Sequence, residues 1–270
     1  MDPKIYQIYF DANSKKNLDP LFISYDNSNS NDSWFEFSVI KKILESNVFD
    51  ENQYIGFFSH RFYEKTGLHG KDVFDTIKNS SSDVISFSHS IKDISLYPNS
   101  FFQGERCHKG FLNISQNILD EIKLNINLKS LVQDSSRIIF SNHFVAKFSF
   151  WKKWLTVSNK IYNLAENKDS KSYSDLNTFT TYKKIENKYQ FKVFLIERLV
   201  SVVLEVNQID AFIGLDFKNY PLKKTETMFL GEYLILDSLK TKFLKNGKED
   251  YLNFYYKILD NYWKKILVKN

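Results

Sequence analysis

The densest group of reactive side chains lies at 103–110, which reads QGERCHKG. A carboxylate at Glu105 and an imidazole at His108 could accept a proton or hold the hydroxyl groups of a sugar. The two glycines of this stretch allow unusual backbone angles and the close approach of a ligand. The alternative is a plain surface turn that leads into a helix beginning at Phe111. The pattern therefore predicts either a site loop or a connection.

A second candidate is the charged pair Glu197-Arg198, which stands inside the apolar run IERLVSVVL. A buried charge must be paired or hydrogen-bonded, so the two side chains could form a structural contact. Alternatively, the Glu197 carboxylate faces a pocket as a base or as a sugar ligand, because buried carboxylates with a raised pKa are typical bases. Both interpretations remain open.

Two further groups have weaker signals. The segment 26–32, DNSNSND, has the composition of a loop, but it follows a strand, so Asp26 could contact a ligand. Its carboxylates are poorly spaced for a metal, although Mg²⁺ often takes only one or two carboxylates plus phosphate oxygens.

Asn142 and His143 precede the aromatic run FVAKFSFW, where a lone histidine is either structural or an acid, base or ligand.

Common fingerprints are missing from the sequence. It contains no GxGxxG, Walker, HExxH or GxSxG motif. The sequence therefore argues against a dinucleotide enzyme and against a P-loop enzyme.

The elements that must position these groups follow from periodicity. β-branched and aromatic residues predict strands near 5–10, 53–59 and 83–88. Ser33, with Glu36 three residues later, predicts a capped helix over 33–44. Further helices are predicted at 111–122, 149–165, 191–206, 229–244 and 251–267, extended pieces at 21–25, 128–132, 137–140 and 209–215, and irregular chain at 91–102 and 167–181. This order predicts an α/β fold with a mostly parallel sheet and polar groups at strand ends.

Composition limits the class of protein. The chain has 270 residues, 43% of them hydrophobic, and a net charge of +5 without a dense basic block, which argues against nucleic acid. The lone Cys107 excludes an intrachain disulfide and a cysteine-built zinc site, so a cytoplasmic location is expected. No signal peptide and no long apolar run are recognised, so we expect at most peripheral contact with the inner membrane.

Two motifs carry a resemblance. The stretches YIGFFSHRFYEKTG at 54–67 and QGERCHKG at 103–110 resemble an uncharacterised bacterial family found beside glycosyltransferases in surface-polysaccharide clusters. Its members typically read YxGFxSPKFxEKTG and QGExxHPG. His60, Arg61 and Lys109 depart from these patterns. The segment SNHFVAKFSFWKKWL, followed by FLIERLVSVVL, is more distantly similar to the galactofuranosyltransferase-like group of enzymes.

The resemblance implies a GT-A-like nucleotide-sugar-binding domain over 1–215 and a C-terminal helical extension over 216–270 packed on it. GT-A enzymes commonly hold Mg²⁺ or Mn²⁺ on an Asp-x-Asp motif after such a strand, but the strand at 83 is followed by ISFSHS. That departure implies metal-independent chemistry, an atypical donor or lost catalysis.

The resemblance and residue types together assign roles. Glu197 or Glu105 is the expected base, and Lys65 is the expected cation near the donor phosphates. The expected substrate-binding residues are Tyr9, Asp26, Ser59, Lys65, Gln103, His108, Asn142 and Arg198. The two candidate bases and the substrate-binding residues, apart from Asp26 and Arg198, are expected to line one shared cleft.

The expected function is transfer of a sugar from a nucleotide-sugar donor to a surface glycan, in capsule or lipopolysaccharide, with a free or lipid-linked glycan as acceptor. The alternative is a non-catalytic nucleotide- or carbohydrate-binding partner in the same assembly machinery. A catalytic site requires a carboxylate within hydrogen-bond reach of the acceptor oxygen, whereas a binding module requires only aromatics and hydrogen bonds.

Overall fold

A computed structural model describes residues 1–30, 32–88, 90–182, 185–214 and 224–267. Its strands are β1 (Lys4–Tyr9), β2 (Ile23–Asp26), β3 (Tyr54–Ser59), β4 (Val84–Ser86), β5 (Phe144–Lys147), β6 (Phe179–Tyr182), β7 (Ile185–Gln190) and β8 (Phe212–Ile213). Six of them form one sheet in the order β2-β1-β3-β5-β4-β8, and β6 pairs with β7 in a separate hairpin.

The sheet is mostly parallel. β1 pairs in parallel with β2 and β3, and β4 pairs in parallel with β8. β5 lies antiparallel between β3 and β4, so it alone runs against the other five strands of this sheet. The α/β class with a mostly parallel sheet is therefore confirmed, together with the strands predicted near 5–10, 53–59 and 83–88.

The helices that flank the sheet are α1 (Ala12–Lys15), α2 (Glu36–Ser46), α3 (Phe62–Thr66), α4 (Gly70–Lys78), α5 (Ile91–Leu96), α6 (Ser100–Cys107), α7 (Phe111–Glu121), α8 (Phe148–Glu166), α9 (Tyr173–Asn177), α10 (Phe191–Val206), α11 (Lys224–Thr227), α12 (Leu230–Asn246) and α13 (Glu249–Leu267). The five long helices predicted from apolar periodicity all exist, with ends within a few residues of the predicted ones.

Alternation along the strands divides the core into two clusters. Ile8 and Phe57 face the larger cluster, which includes apolar side chains of α2, α7, α8 and α10. Ile5 and Phe58 face a smaller cluster that includes Val73 of α4. α10 is apolar on nearly all sides because it crosses the middle of the larger cluster, as predicted.

The C-terminal helices α12 and α13 pack on α5 through a third apolar cluster that includes Ile91, Tyr233 and Tyr255. A buried polar network joins α12 to the rest of the chain. Lys240 Nζ donates to the Ile94 and Tyr97 carbonyls at 2.5 and 3.1 Å. The expected domain boundary at 215/216 lies outside the described residues.

Several local predictions were wrong. Segment 91–102 is not irregular, because Ser90 and Asn99 cap two short helices on either side of Pro98. The extended pieces at 128–132 and 137–140 are turns and coil, whereas 21–25 and 209–215 each include a short strand.

The segment expected as a loop at 167–181 contains α9 and the start of β6. The predicted capping box at Ser33 is absent, because α2 begins only at Glu36.

No helix in the described part of the chain is long and apolar enough to cross a membrane.

Candidate functional site

The start of α2 is held in an unusual conformation. Phe35, the residue before the helix, has φ 52° and ψ −124°, a combination that costs energy in a non-glycine residue. Trp34 is anchored beside it: its indole N–H donates to Glu166 Oε1 at 2.8 Å, and Lys192 Nζ lies 4.4 Å from its ring centroid. The anchored turn presents Glu36 as the first residue of α2.

A second strained turn lies at the start of β5. Ser141 and Asn142 have φ values of 58° and 53°. Asn142 is only 5% exposed, and its amide lies close enough to Glu36 to lower the pKa of that carboxyl group. Lys65 Nζ donates to Ser141 Oγ at 3.5 Å, which ties α3 to the same turn.

The remaining non-glycine residues with positive φ in the described chain have an ordinary explanation. Lys123 and Gln208 follow the ends of α7 and α10, where a left-handed residue commonly terminates a helix. The unexplained strain is therefore concentrated on the two turns that present Glu36 and Asn142. Strained backbone of this kind is often found at functional sites.

Four side chains, Glu36, Lys65, Asn142 and Glu197, form what we call the Glu36 cluster. Burial, followed by the nearby Glu197 carboxylate, raises the pKa of Glu36 to about 7, against the opposing effects of Lys65 and Asn142. Burial also raises the pKa of Glu197, although Arg198 and Lys65 oppose that shift. Burial lowers the pKa of Lys65, whereas the Glu36 and Glu197 carboxylates raise it.

The cluster lies at the edge of the sheet where β3 and β4 end and β5 begins. Two buried polar atoms near this edge have no hydrogen-bond partner among the described residues: Asn142 Oδ1 and Ser59 Oγ. Ser59 is the last residue of β3 and, by alternation, faces the same side of the sheet as Phe57. Unsatisfied buried acceptors of this kind are rare and are typically explained by water or a ligand.

An exposed aromatic side chain directly precedes Glu36 in the chain. Phe35 is 43% exposed and packs edge-on against Tyr189, with ring centroids 5.4 Å apart. Phe35 directly precedes Glu36 in the chain, so the strained turn that presents the carboxyl group also exposes an aromatic ring. Aromatic rings with a few fixed polar groups are typical of small-molecule sites.

The 103–110 segment is not a loop. Most of it belongs to α6, and Glu105 caps the next helix: its two carboxylate oxygens accept the Gly110 and Leu112 backbone N–H groups, each at 2.8 Å. An added Cβ at Gly104 would lie 2.5 Å from the Phe111 ring, so this glycine permits close helix packing. These contacts make Glu105 a capping residue and give no support to its expected role as a base.

Arg198 and Gln103 contact each other inside the protein. Arg198 Nη2 donates to Gln103 Oε1 at 2.5 Å, and its other nitrogens donate to the Ser100 and Phe194 carbonyls, each at 3.0 Å. These contacts join α10 to α6. The Arg198 charge also acts on the adjacent Glu197, whose pKa it lowers against the effect of burial.

Both histidines of the candidate set are buried. His108 Nδ1 lies 3.0 Å from Thr180 Oγ1, and its ring packs on Phe194 with centroids 4.0 Å apart. His143 packs edge-on against Phe58 and Phe62. Their surroundings are aromatic, as expected for structural histidines.

Tyr9 and Asp26 form a separate contact on the neighbouring strands β1 and β2. Tyr9 Oη donates to Asp26 Oδ2 at 2.9 Å, and Lys15 Nζ lies 5.5 Å from the Tyr9 ring centroid. These contacts do not connect Tyr9 or Asp26 to the four residues of the Glu36 cluster. The two groups share only the carboxyl edge of the parallel strands.

Of the predicted residues, Lys65, Asn142 and Glu197 interact with Glu36 in the cluster, and Ser59 lies at the same edge of the sheet. Sequence reasoning missed Glu36, because its spacing from Ser33 suggested a capping role. The available signal was its position in the first helix after a strand end, where α/β proteins place ligand-binding groups.

A surface groove of about 610 Å³ lies elsewhere, between the segment that follows α7 and the ends of α10 and α12. Its lining is largely apolar side chains and asparagines, and its charged residue, Glu205, is held by Arg137 at 2.9 Å. It lacks the paired reactive groups of the Glu36 cluster. Among the described residues, no group of three or more His, Cys, Asp or Glu side chains could hold a metal ion.

No family model, no curated protein and no solved structure matches the chain.

Proposed function

We propose that the chain is a glycosyltransferase of surface-glycan assembly that takes its sugar from a nucleotide-sugar donor. The resemblance of the 54–67 and 103–110 motifs supports the reaction class. The observation that carries the proposal is the pair of partly buried carboxyl groups, Glu36 and Glu197, whose pKa values are both raised, at the sheet edge where α/β folds bind ligands.

Glu197 acts as the general base. The acceptor hydroxyl oxygen attacks the anomeric carbon, the bond from that carbon to the diphosphate breaks, and the diphosphate leaves with the electron pair. The hydroxyl proton passes to the Glu197 carboxylate, whose raised pKa brings it closer to neutrality, where proton transfer is most efficient.

Glu36 positions the base. The Asn142 amide fixes its carboxyl group, and its pKa of about 7 lets it hold a proton near neutral pH. A protonated Glu36 avoids a second full negative charge beside Glu197 and leaves Glu197 as the carboxylate that accepts the proton.

The expected role of Lys65 changes in this arrangement. Its ammonium interacts with both carboxyl groups of the cluster. Its charge is therefore balanced locally and is not available in full to a diphosphate. Lys65 holds the two carboxyl groups together, while the leaving diphosphate takes its donors from other groups, such as backbone N–H groups.

A non-catalytic nucleotide- or carbohydrate-binding partner is the second candidate. It is favoured by the internal engagement of Gln103, Glu105 and Arg198, which leaves fewer polar groups for a reacting ligand than the sequence suggested. The absence of an Asp-x-Asp motif after β4 points the same way.

The test begins with a thermal-shift screen of nucleotide sugars, with and without Mg²⁺ or Mn²⁺. A donor at about 100 times its dissociation constant should stabilise the protein by about 2.7 kcal/mol. Donors that bind are then tested for hydrolysis and for transfer to glycan acceptors. Turnover supports the transferase, binding without turnover supports the second candidate, and the absence of any binding contradicts both.

A further inference from the structure

The sequence around the first turn of α2 contains two possible helix starts. Ser33 and Glu36 have the spacing of a capping box, which would begin the helix at Trp34. In the structure the helix begins at Glu36 instead, and its N-cap residue, Phe35, makes no side-chain capping bond. We propose that the chain switches between these two starts, and that the switch moves the Glu36 carboxyl group into and out of the Glu36 cluster.

The observed start is strained at Phe35. Its φ of 52° and ψ of −124° lie close to the mirror image of the extended region, where a side chain clashes with the backbone and glycine alone fits readily. Phe35 also offers no side-chain oxygen to the first N–H groups of α2, whereas Ser33 as the N-cap would offer one. The local preferences of the backbone therefore favour the other start.

Tertiary contacts of Trp34 hold the strained start in place. Trp34 is 4% exposed, its indole N–H donates to Glu166 Oε1 at 2.8 Å, and its backbone N–H donates to Asp32 Oδ1 at 2.8 Å. Lys192 Nζ lies 4.4 Å from the indole centroid and is itself fixed by Asn177 Oδ1 at 2.9 Å. Strained backbone persists only where surrounding contacts determine it, so the observed start depends on these contacts.

In the second state, residues 34 and 35 have helical angles and Ser33 is the N-cap. The Ser33 hydroxyl accepts the Glu36 N–H, and the Glu36 carboxylate turns back to accept the Ser33 N–H. Trp34 leaves its buried position, because φ at Phe35 changes from 52° to about −63°. The Glu36 carboxyl group then faces the start of its own helix and is withdrawn from the cluster.

The two states oppose effects of similar size. A helix cap and the relief of one strained residue favour the second state, whereas the burial of the Trp34 ring favours the observed one. The loss of a single contact can therefore shift the balance. The switch goes beyond the proposed function and does not depend on it, because it decides whether the cluster holds one carboxyl group or two.

Lys192→Met tests the contacts that hold Trp34. Methionine keeps the length of the side chain and removes the ammonium from the indole ring. We expect the population of the second state to rise at least about tenfold, as expected for the loss of a desolvated cation–π contact. NMR detects it through helical Cα chemical shifts at residues 34 and 35 and a solvent-exposed fluorine signal from fluorotryptophan at Trp34. Glu166→Ala, whose side chain is 49% exposed, removes the acceptor of the indole N–H and provides a second test should Lys192→Met not fold.

Ser33→Ala tests the second helix start. Ser33 is exposed and does not cap α2 in the observed state, so a single fixed start predicts no effect of this change. Added to Lys192→Met or to Glu166→Ala, it should lower the population of the second state about fivefold, the effect of one helix cap on an equilibrium constant. Ser46→Ala, at the other end of α2, is the control and should leave that population unchanged.

Phe35→Gly tests the strain itself. Glycine accepts the observed angles without a clash and disfavours a helix at this position. Added to Lys192→Met, it should therefore return the Trp34 fluorine signal to its buried position, as Ser33→Ala does in part.

Three results would overturn the switch. Lys192→Met and Glu166→Ala could both keep a single buried Trp34 signal, or both could unfold, which would make these contacts part of the core and not a point of release. Ser33→Ala could also change the second state no more than Ser46→Ala does. None of these measurements requires a substrate, so their failure is separate from that of the proposed function, which is decided by donor binding and turnover.

Discussion

Glu36, at the first position of α2, and Glu197, in α10, are partly buried carboxyl groups that both interact with the Lys65 ammonium, and Glu197 also interacts with Arg198. Glu36, Lys65 and Glu197 come from helices that are far apart in sequence, and two strained turns hold their surroundings in place. The pair has the composition expected of an acid–base site, because its members differ in environment: the Asn142 amide acts on the pKa of Glu36, whereas Arg198 acts on that of Glu197.

Glu197→Gln should abolish transfer without unfolding the protein. The substitution keeps the shape of the side chain and removes the base, so we expect turnover to fall by about 10²–10⁴-fold. Donor binding, measured by thermal shift, should remain. Glu45→Gln serves as the control with unchanged turnover. Normal turnover in Glu197→Gln would contradict its role as base, and loss of the folded state would show a structural role.

The stability of the protein should depend on pH through Glu36. Its pKa is raised from 4.5 to about 7 in the folded state, so between these values the folded state binds more protons than the unfolded state. The free energy of unfolding that Glu36 contributes is therefore lost as the pH rises from 4.5 to about 7, by an amount of order 3 kcal/mol.

Glu36→Gln should remove this part of the pH dependence. Urea unfolding of both proteins at about pH 5 and about pH 8 measures the difference between them. We expect the free energy of unfolding to fall less steeply with pH in the variant. Identical pH dependence in the two proteins would show that Glu36 has an ordinary pKa.

The strain at Ser141 can be measured with two substitutions. Ser141→Gly and Ser141→Ala both remove the hydroxyl that accepts from Lys65, but only glycine relieves the cost of φ 58°. We expect the glycine variant to be more stable than the alanine variant by about 1 kcal/mol. Thermal and urea unfolding give this difference directly. Equal stabilities would mean that the turn stores no strain at this residue.

Glu105→Ala should weaken the fold and leave the chemistry intact. The substitution removes two hydrogen bonds to the first turn of α7, so we expect a loss of about 1–2 kcal/mol, typical of a helix cap. Turnover per folded molecule should change little. A loss of turnover as large as that in Glu197→Gln, with stability retained, would restore Glu105 as a candidate base.

Lys240→Met should destabilise the attachment of α12. Lys240 is buried beside Asp237, whose carboxylate accepts the Ser135 N–H and hydroxyl at 2.9 and 2.6 Å. Loss of the cation leaves that carboxylate without its balancing charge, at a cost of about 3–5 kcal/mol. Lys242→Met, on the exposed side of the same helix, should change the free energy of unfolding by less than about 0.5 kcal/mol. Similar small losses in both variants would contradict this account.

Elements with strong periodicity could be predicted from the sequence. The buried strands at β1, β3 and β4 and the long helices α8 and α10 each carry an uninterrupted apolar pattern. The short helices α5 and α6 could not be read in this way, because Pro98 suggested a break. The caps at Ser90 and Asn99, which start a helix on each side of the proline, are the sequence signal for these two helices.

The site was harder to predict than the fold. Lys65, Asn142 and Glu197 carry side chains that can bind a ligand or transfer a proton, and all three belong to the Glu36 cluster. Gln103 and Glu105 carry equally suitable side chains, yet tertiary contacts engage them within the fold. Residue type alone does not show whether a carboxylate will accept a backbone N–H group or contact a ligand. For Glu105 the outcome depends on the close packing of α6 on α7, which Gly104 permits.

The reversed direction of β5 sets a limit on how this protein can evolve. Because β5 runs against β3 and β4, its entry, and not its exit, lies at their carboxyl ends, and Asn142 reaches the site from there. A slip of one residue in the register of β5 would turn Phe144 and Ala146 from the larger core to the opposite face of the sheet. Changes in the turn before β5 are therefore tolerated only as far as they keep this register.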